Sequence, residues 1–493
     1  MRHRSLALLS AIVFCCTPLS LHDALASEAL QTQTDEIKSS VLLGPAFEAL
    51  RELTDTFGPR LTSSPAYRGS AEWAAARFRS FGIREVRFED FTVPNGWKRG
   101  EARGALVSPL RTRLHVESAG WSPPTPASGV EGEVLWLDDP SEANIETLSP
   151  RIKDRVVMLD TARIFAGGSY AAVRRAQSAC MLLERAGARA VLLPNHTHGN
   201  LLGSYVDLLN GGRTLPLPMA EIGMEDAMLI RRLGERGPVK VQLSLENHVS
   251  GPVQEPNVIA EIRGSERPDE WILVGGHLDS WDYGSGASDN GAGSVAILDA
   301  ARAIAALDRA PRRSIRFVLW GGEEPGQLGS LQYARAHADE LKNVVAVLNT
   351  DTGAGRPKGW RVGGRLDLQA AMQPLANAYL RDLAASEILL DTTCSTDHCA
   401  FLLRGVPTLN LLTDRTLYEQ VIHRTGDTFD KINAVDLKAV AAVVAVTTYV
   451  LAQHPQPIAR HLEHAEVSRI LTKAGLVDGL TWLGRWQPEE TAQ

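Results

Sequence analysis

The chain has 493 residues, too many for one ordinary hydrophobic core, so two domains plus extensions are expected. A composition that is 44% hydrophobic and 22% charged is that of a soluble globular protein and excludes a disordered or fibrous one. The net charge of -7, with no lysine or arginine cluster, argues against nucleic acid or an anionic membrane as the main partner.

The N-terminus reads as an export signal. Arg2 and Arg4 precede an apolar run over 6–14, and Ala24-Leu25-Ala26 has the small-x-small form of a cleavage site. Residues 1–26 are therefore a signal peptide, and a periplasmic or secreted location is expected. The run is too short to span a bilayer, and bulky Phe14 before Cys15-Cys16 fits a lipoprotein poorly. Removing the leader leaves Cys180, Cys394 and Cys399. A local bridge between the last two and three buried free thiols both remain open.

After a polar stretch, helical apolar spacing predicts a helix over 70–81, and alternation predicts a strand over 85–93. The Pro/Ser/Gly-rich 119–129 marks a boundary, so 27–124 reads as the first part of a catalytic domain. Within 125–255, short β-rich runs (GEVLWLD, DRVVMLD, ARAVLLP, VKVQLSL) alternate with one strong helix over 171–186. This has the look of an inserted β-rich domain. It contains His196 and His198, an H-x-H without carboxylate or cysteine partners nearby, read as a solvated loop.

From 256 to 455 the pattern is α/β. Strands are expected at 271–275, 314–320, 344–349 and 407–412, with helices at 293–306, 328–341, 368–385 and 436–453. Apolar strands alternating with helices imply a mixed central sheet with helices on both faces. The last helix is very apolar but carries Lys438 and is short for a membrane span, so it reads as a core helix. The tail 456–493 has helical patterning and tryptophans that cover the core or a partner subunit, which leaves room for a homodimer.

Polar motifs follow the predicted strands, where open α/β sheets place their chemistry. His277-Leu278-Asp279 follows the first, Glu323-Glu324 the second and Asp351 the third. Asp289 opens a helix in SDNGAG, and His423 lies in a loop before the final helix. Taken singly, each has a bland reading as a core histidine, helix cap or charged turn. Together, imidazoles and carboxylates at strand ends suit two zinc ions sharing one carboxylate. Asp279 is then placed to accept the second N–H of His277. The glycine-rich 284–293 lacks P-loop spacing, and no G-x-S-x-G elbow is present.

The ordered runs GGHLDSWDYGSGASDNGAG, WGGEEPGQLGS, NTDTGAG, STDHCAFLLRGVP and HRTGDTFDKI resemble the co-catalytic zinc exopeptidases related to leucyl aminopeptidase and glutamate carboxypeptidase. LTDTFGPRLTSSPAYRGSAEWAAARF resembles the N-terminal helix of the same catalytic domain, and 125–255, mainly through AGARAVLL, resembles the protease-associated domain that carboxypeptidase Q carries. The resemblance implies two zinc ions, one on His277 and Asp351, one on Glu324 and His423, with Asp289 bridging. It implies Glu323 as general base, Asp279 behind His277, and a cis peptide at Asp289-Asn290. Family members often place an oxyanion-stabilising tyrosine near the last histidine; the nearest here is Tyr418. The expected substrates are short peptides or dipeptides. The competing readings are a single-zinc glutaminyl cyclase and a non-catalytic relative like the transferrin receptor, which lacks the ligand set.

Overall fold

The computed structural model describes residues 21–161, 169–204 and 211–487. Residues 1–20, which carry most of the expected signal peptide, lie outside the described residues.

Two eight-stranded sheets organise the chain. The first runs Glu85–Val93, Val253–Ile262, Arg313–Trp320, Arg267–His277, Val344–Asn349, Thr408–Thr413, Pro357–Arg361, Glu387–Leu389 in spatial order. Its four central strands, from Arg313–Trp320 to Thr408–Thr413, are mutually parallel. Such strands are buried on both faces, which explains near-continuous apolar runs such as VVAVLN. Alternate residues sort to opposite sides. Ile272 and Val274 face a cluster built with the helices Ala292–Ala305 and Ala434–Gln453, while Leu273 packs with Trp320, Tyr333 and Phe401. The apolar helix Ala434–Gln453 is buried at Leu437 and from Val440 to Ala452, as a core helix should be.

The helix Leu21–Leu42 is one element the sequence pattern did not suggest. It looks polar because only one narrow stripe, including Ile37 and Val41, enters the core.

The second sheet corrects the expected boundary at 124. Strands Ala102–Ser108, Thr112–Leu114 and Val116–Ser118 pair into it, alongside Val130–Leu137, Val156–Leu159, Ala190–Pro194, Met219–Ile222 and Lys240–Leu245. By composition alone the proline-rich 119–129 reads as a linker after them. Backbone pairing with Lys240–Leu245 and Met219–Ile222 carries the chain across it. Two further helices, Glu142–Ile152 and Met224–Gly234, join Ser169–Arg185 to cover this sheet on both faces.

The tail folds back on its own chain. Val467, Leu471, Leu480 and Trp486 pack on Cys394, Cys399, Leu402 and Leu403. Cys394 and Cys399 are disulfide-bonded, and Cys180 is a buried free thiol.

Candidate active site

All five residues expected to hold metal converge at the carboxyl ends of the central strands. His277 ends its strand, Glu323 and Glu324 follow Trp320, and Asp351 follows Asn349. The strands carry glycine where the backbones crowd together. A Cβ at Gly276 would sit 2.7 Å from the Thr350 carbonyl oxygen, so Gly276 lets the His277 and Asp351 strands approach.

Asp289 occupies the turn Ala287–Gly291 before the helix Ala292–Ala305, and the Asp289–Asn290 peptide is cis. Asp427 fixes this turn by accepting from the backbone N–H groups of Ser288 (2.6 Å) and Asp289 (3.0 Å). His423 follows the short helix Tyr418–Val421 and has φ +57°, in the left-handed region.

The side chains meet at short range. His277 Nε2 lies 3.3 Å from Asp289 Oδ1 and 3.3 Å from Asp351 Oδ1. His423 Nε2 lies 3.0 Å from Asp289 Oδ2 and 3.3 Å from Glu324 Oε2. The two oxygens of Asp289 thus face two different imidazoles. Among the described residues, ligand atoms of His277, Glu323 and Asp351, and of His277, Asp289 and Glu324, form two groups within 4.8 Å.

The donor chemistry fits divalent zinc. Asp279, Asp289, Glu323, Glu324, Asp351 and Asp397 are all buried around two imidazoles, an excess of negative charge that needs cations. Buried Arg60 is close, but its guanidinium donates to the carbonyls of Gly58, Leu278, Ser285 and Gly286, which fixes the loop after His277. Burial pushes the Glu324 carboxyl up to about 8, with His423 partly offsetting it. Burial likewise raises Glu323 well above its ordinary value. For Asp289 burial acts upward too, but the hydrogen bonds from His277 and His423 outweigh it and hold the group ionised.

Asp279 sits behind His277 and also braces the neighbouring glutamate turn. His277 Nδ1 is 2.9 Å from the Asp279 main-chain oxygen but 3.6 Å from its carboxylate. The carboxylate also accepts from the Thr62 hydroxyl (2.5 Å) and from the Glu323 and Glu324 amides (3.3 Å each). It therefore anchors the Glu323-Glu324 turn.

Sequence reasoning passed over Arg60, Thr62, Asp427 and Trp281. The Trp281 backbone N–H donates to Glu324 Oε1 at 3.1 Å, and its ring meets His423 edge-on at 6.2 Å. All four lie inside motifs already singled out, so position was available but contact was not. His196 and His198 stay apart from the cluster. His196 pairs with Thr161 at 2.7 Å, and His198 is exposed near Glu225.

The model of peptidase family M28 matches residues 257–448, the span that supplies His277, Asp289, Glu323, Glu324, Asp351 and His423. Carboxypeptidase Q of Bos taurus is 30% identical over 84% of this chain and 87% of its own length. The chain belongs to peptidase family M28. It is accordingly a metallo-exopeptidase, acting on peptides. An M28 peptidase precursor from Shewanella amazonensis has a similar structure, at TM-score 0.75 and 28% identity, covering 88% of this chain and 99% of that one. A zinc aminopeptidase from Bacillus subtilis shares the fold at TM-score 0.64 and 21% identity, covering 85% of this chain and 97% of its own.

Proposed function

We propose that this M28 peptidase is an exported exopeptidase of short peptides or dipeptides that works with two zinc ions and uses Glu323 as general base. The observation that carries the reading is the Asp289 carboxylate, which presents one oxygen to His277 and the other to His423. In this reading His277 and Asp351 would hold one ion, Glu324 and His423 would hold the other, and Asp289 would be shared between them. When bound, such a pair supplies Lewis acidity to the scissile carbonyl and a more acidic water.

The chain's own residues divide the remaining work. Glu323 takes the proton of the attacking water and hands it to the departing amine. Asp279 and Thr62 hold the turn that aims Glu323, and Trp281 orients Glu324. Tyr418 is buried, and burial followed by the charges of Asp289 and Asp351 pushes its phenol well above the ordinary value, so it stays a hydrogen-bond donor. It is our candidate for stabilising the developing oxyanion. A cleft of about 610 Å³ adjoins Ser288 and Tyr418 and extends to Arg356, Lys358 and Lys431, which gives a short peptide room. Export rests on residues 1–26 as a signal peptide, and N-terminal sequencing of exported protein should find Ser27 first.

Adjacent Glu323 and Glu324 provide the test. Glu324→Gln removes a ligand charge and should weaken one zinc. Glu323→Gln should keep both ions and bind substrate, with kcat lower by roughly 10²–10⁴-fold and KM little changed. Zinc content and kinetics are measured on both variants. Loss of metal in Glu323→Gln with retention in Glu324→Gln exchanges the two roles, and full activity in both defeats the mechanism.

A further inference from the structure

We infer that the inserted sheet domain positions His423, and so sets the affinity of one of the two zinc sites, through a backbone clamp centred on Gly203. The inference rests on the two-zinc reading above.

His423 itself is weakly placed by its own element. It follows a helix of only four residues and holds a left-handed backbone that residues other than glycine rarely adopt. The turn is closed on one side by the Arg424 N–H donating to the Val421 carbonyl at 3.0 Å.

On the other side it is held by the insert. The Ser204 N–H donates to the His423 carbonyl at 2.9 Å, and the Thr425 N–H donates to the Leu202 carbonyl at 3.2 Å. Gly203 and Arg424 thus form an isolated antiparallel bridge. The contact is close enough to require glycine. A Cβ at residue 203 would lie 2.6 Å from the His423 oxygen and 3.0 Å from the Arg424 Cα, both backbone atoms.

The clamp is tied to the second sheet. Asn195 directly follows the strand Ala190–Pro194, and its side-chain N–H groups reach the Gly203 carbonyl (3.3 Å) and Glu221 (3.0 Å). The Asn195 backbone N–H donates to the Ile222 carbonyl at 2.9 Å. A displacement of 202–204 is therefore a displacement of the His423 backbone. Metal sites accept ligand distances only within about 0.2 Å, so such a shift weakens the site that His423 serves. Gly203 is a positioning residue, acting through His423.

The test compares zinc binding in wild type, Gly203→Val and the control Gly234→Ala. Residue 234 is in the same insert, and a Cβ there meets nothing within 4 Å. Wild type and Gly234→Ala should take two ions with equal affinities. Folded Gly203→Val should keep one at wild-type affinity and bind the other at least tenfold more weakly.

Binding linkage is reciprocal, so zinc must also strengthen the clamp. Adding zinc to metal-free wild type should slow hydrogen exchange at the Ser204 and Thr425 amides, a readout that holds even if Gly203→Val fails to fold. Unchanged affinities in folded Gly203→Val, or exchange at both amides indifferent to zinc, overturns the inference while leaving the two-zinc reading intact. A wild-type count below two sinks that reading and takes this inference with it.

Discussion

Glu255 shows how far burial governs individual charges in this fold. Its side chain is buried, with the exposed Arg68 guanidinium 3.2 Å away. Burial pushes its carboxyl up to about 7, and Arg68 only partly offsets that. The folded chain therefore holds this proton at pH values where the unfolded chain has released it. Stability from this group is present below the unfolded value of 4.5 and is lost as pH rises towards 7. Glu255→Gln should raise the unfolding temperature at pH 8 and change it little at pH 4. A thermal scan at both values checks this, and equal shifts would deny the burial penalty. The active-site carboxylates obey the same physics with a different resolution. There, clustering beside two imidazoles suits metal ions rather than permanent protonation.

At the scale of elements, the helix Leu21–Leu42 matters more than its polar sequence suggests. Ile37 and Val41 are fully buried in the core shared with Ala434–Gln453 and Ala292–Ala305. Arg302 ties the same helix by donating to the Ser40 carbonyl at 2.9 Å and hydroxyl at 3.1 Å. Ile37→Ala should destabilise the chain by about 2–5 kcal/mol, the usual cost of emptying a packed aliphatic site. Denaturant unfolding measures it, and a loss well under 1 kcal/mol would mean that the helix is not docked in solution. Ser27 lies ten residues before Ile37 in this helix, so the proposed cleavage after Ala26 would leave the docked part intact.

Across the whole molecule, distant segments meet behind the proposed base. Gly211, which lies between the strands Ala190–Pro194 and Met219–Ile222, donates its N–H to the Pro325 carbonyl at 3.1 Å. Arg485, from the C-terminal tail, donates to the Gly326 carbonyl (2.9 Å) and to Gln327 Oε1 (3.0 Å). Gln327 in turn points its amide at Glu323 Oε1, 3.5 Å away. Arg485→Ala should therefore lower kcat about tenfold, the worth of roughly one buried hydrogen bond, while KM and zinc content hold. Arg485→Lys should recover part of the loss. A variant with unchanged kcat would confine the tail to packing.

The sequence by itself determined the central sheet and which polar residues gather at its strand ends. Long apolar strands ending in His277, Glu323-Glu324 and Asp351 leave little freedom, because a buried parallel strand must deliver its polar residues at its carboxyl end. Local pattern also gave the helices Ala292–Ala305 and Ala434–Gln453 to within a few residues. Only the tertiary structure decided the partners of those groups. That the Asp279 carboxylate anchors the glutamate turn, that Arg60 and Asp427 fix the loops around Asp289, and that strands 102–118 belong to the second sheet all depend on long-range contacts. Periodicity reports which face of an element is buried; it carries no information about which distant residue fills the space opposite.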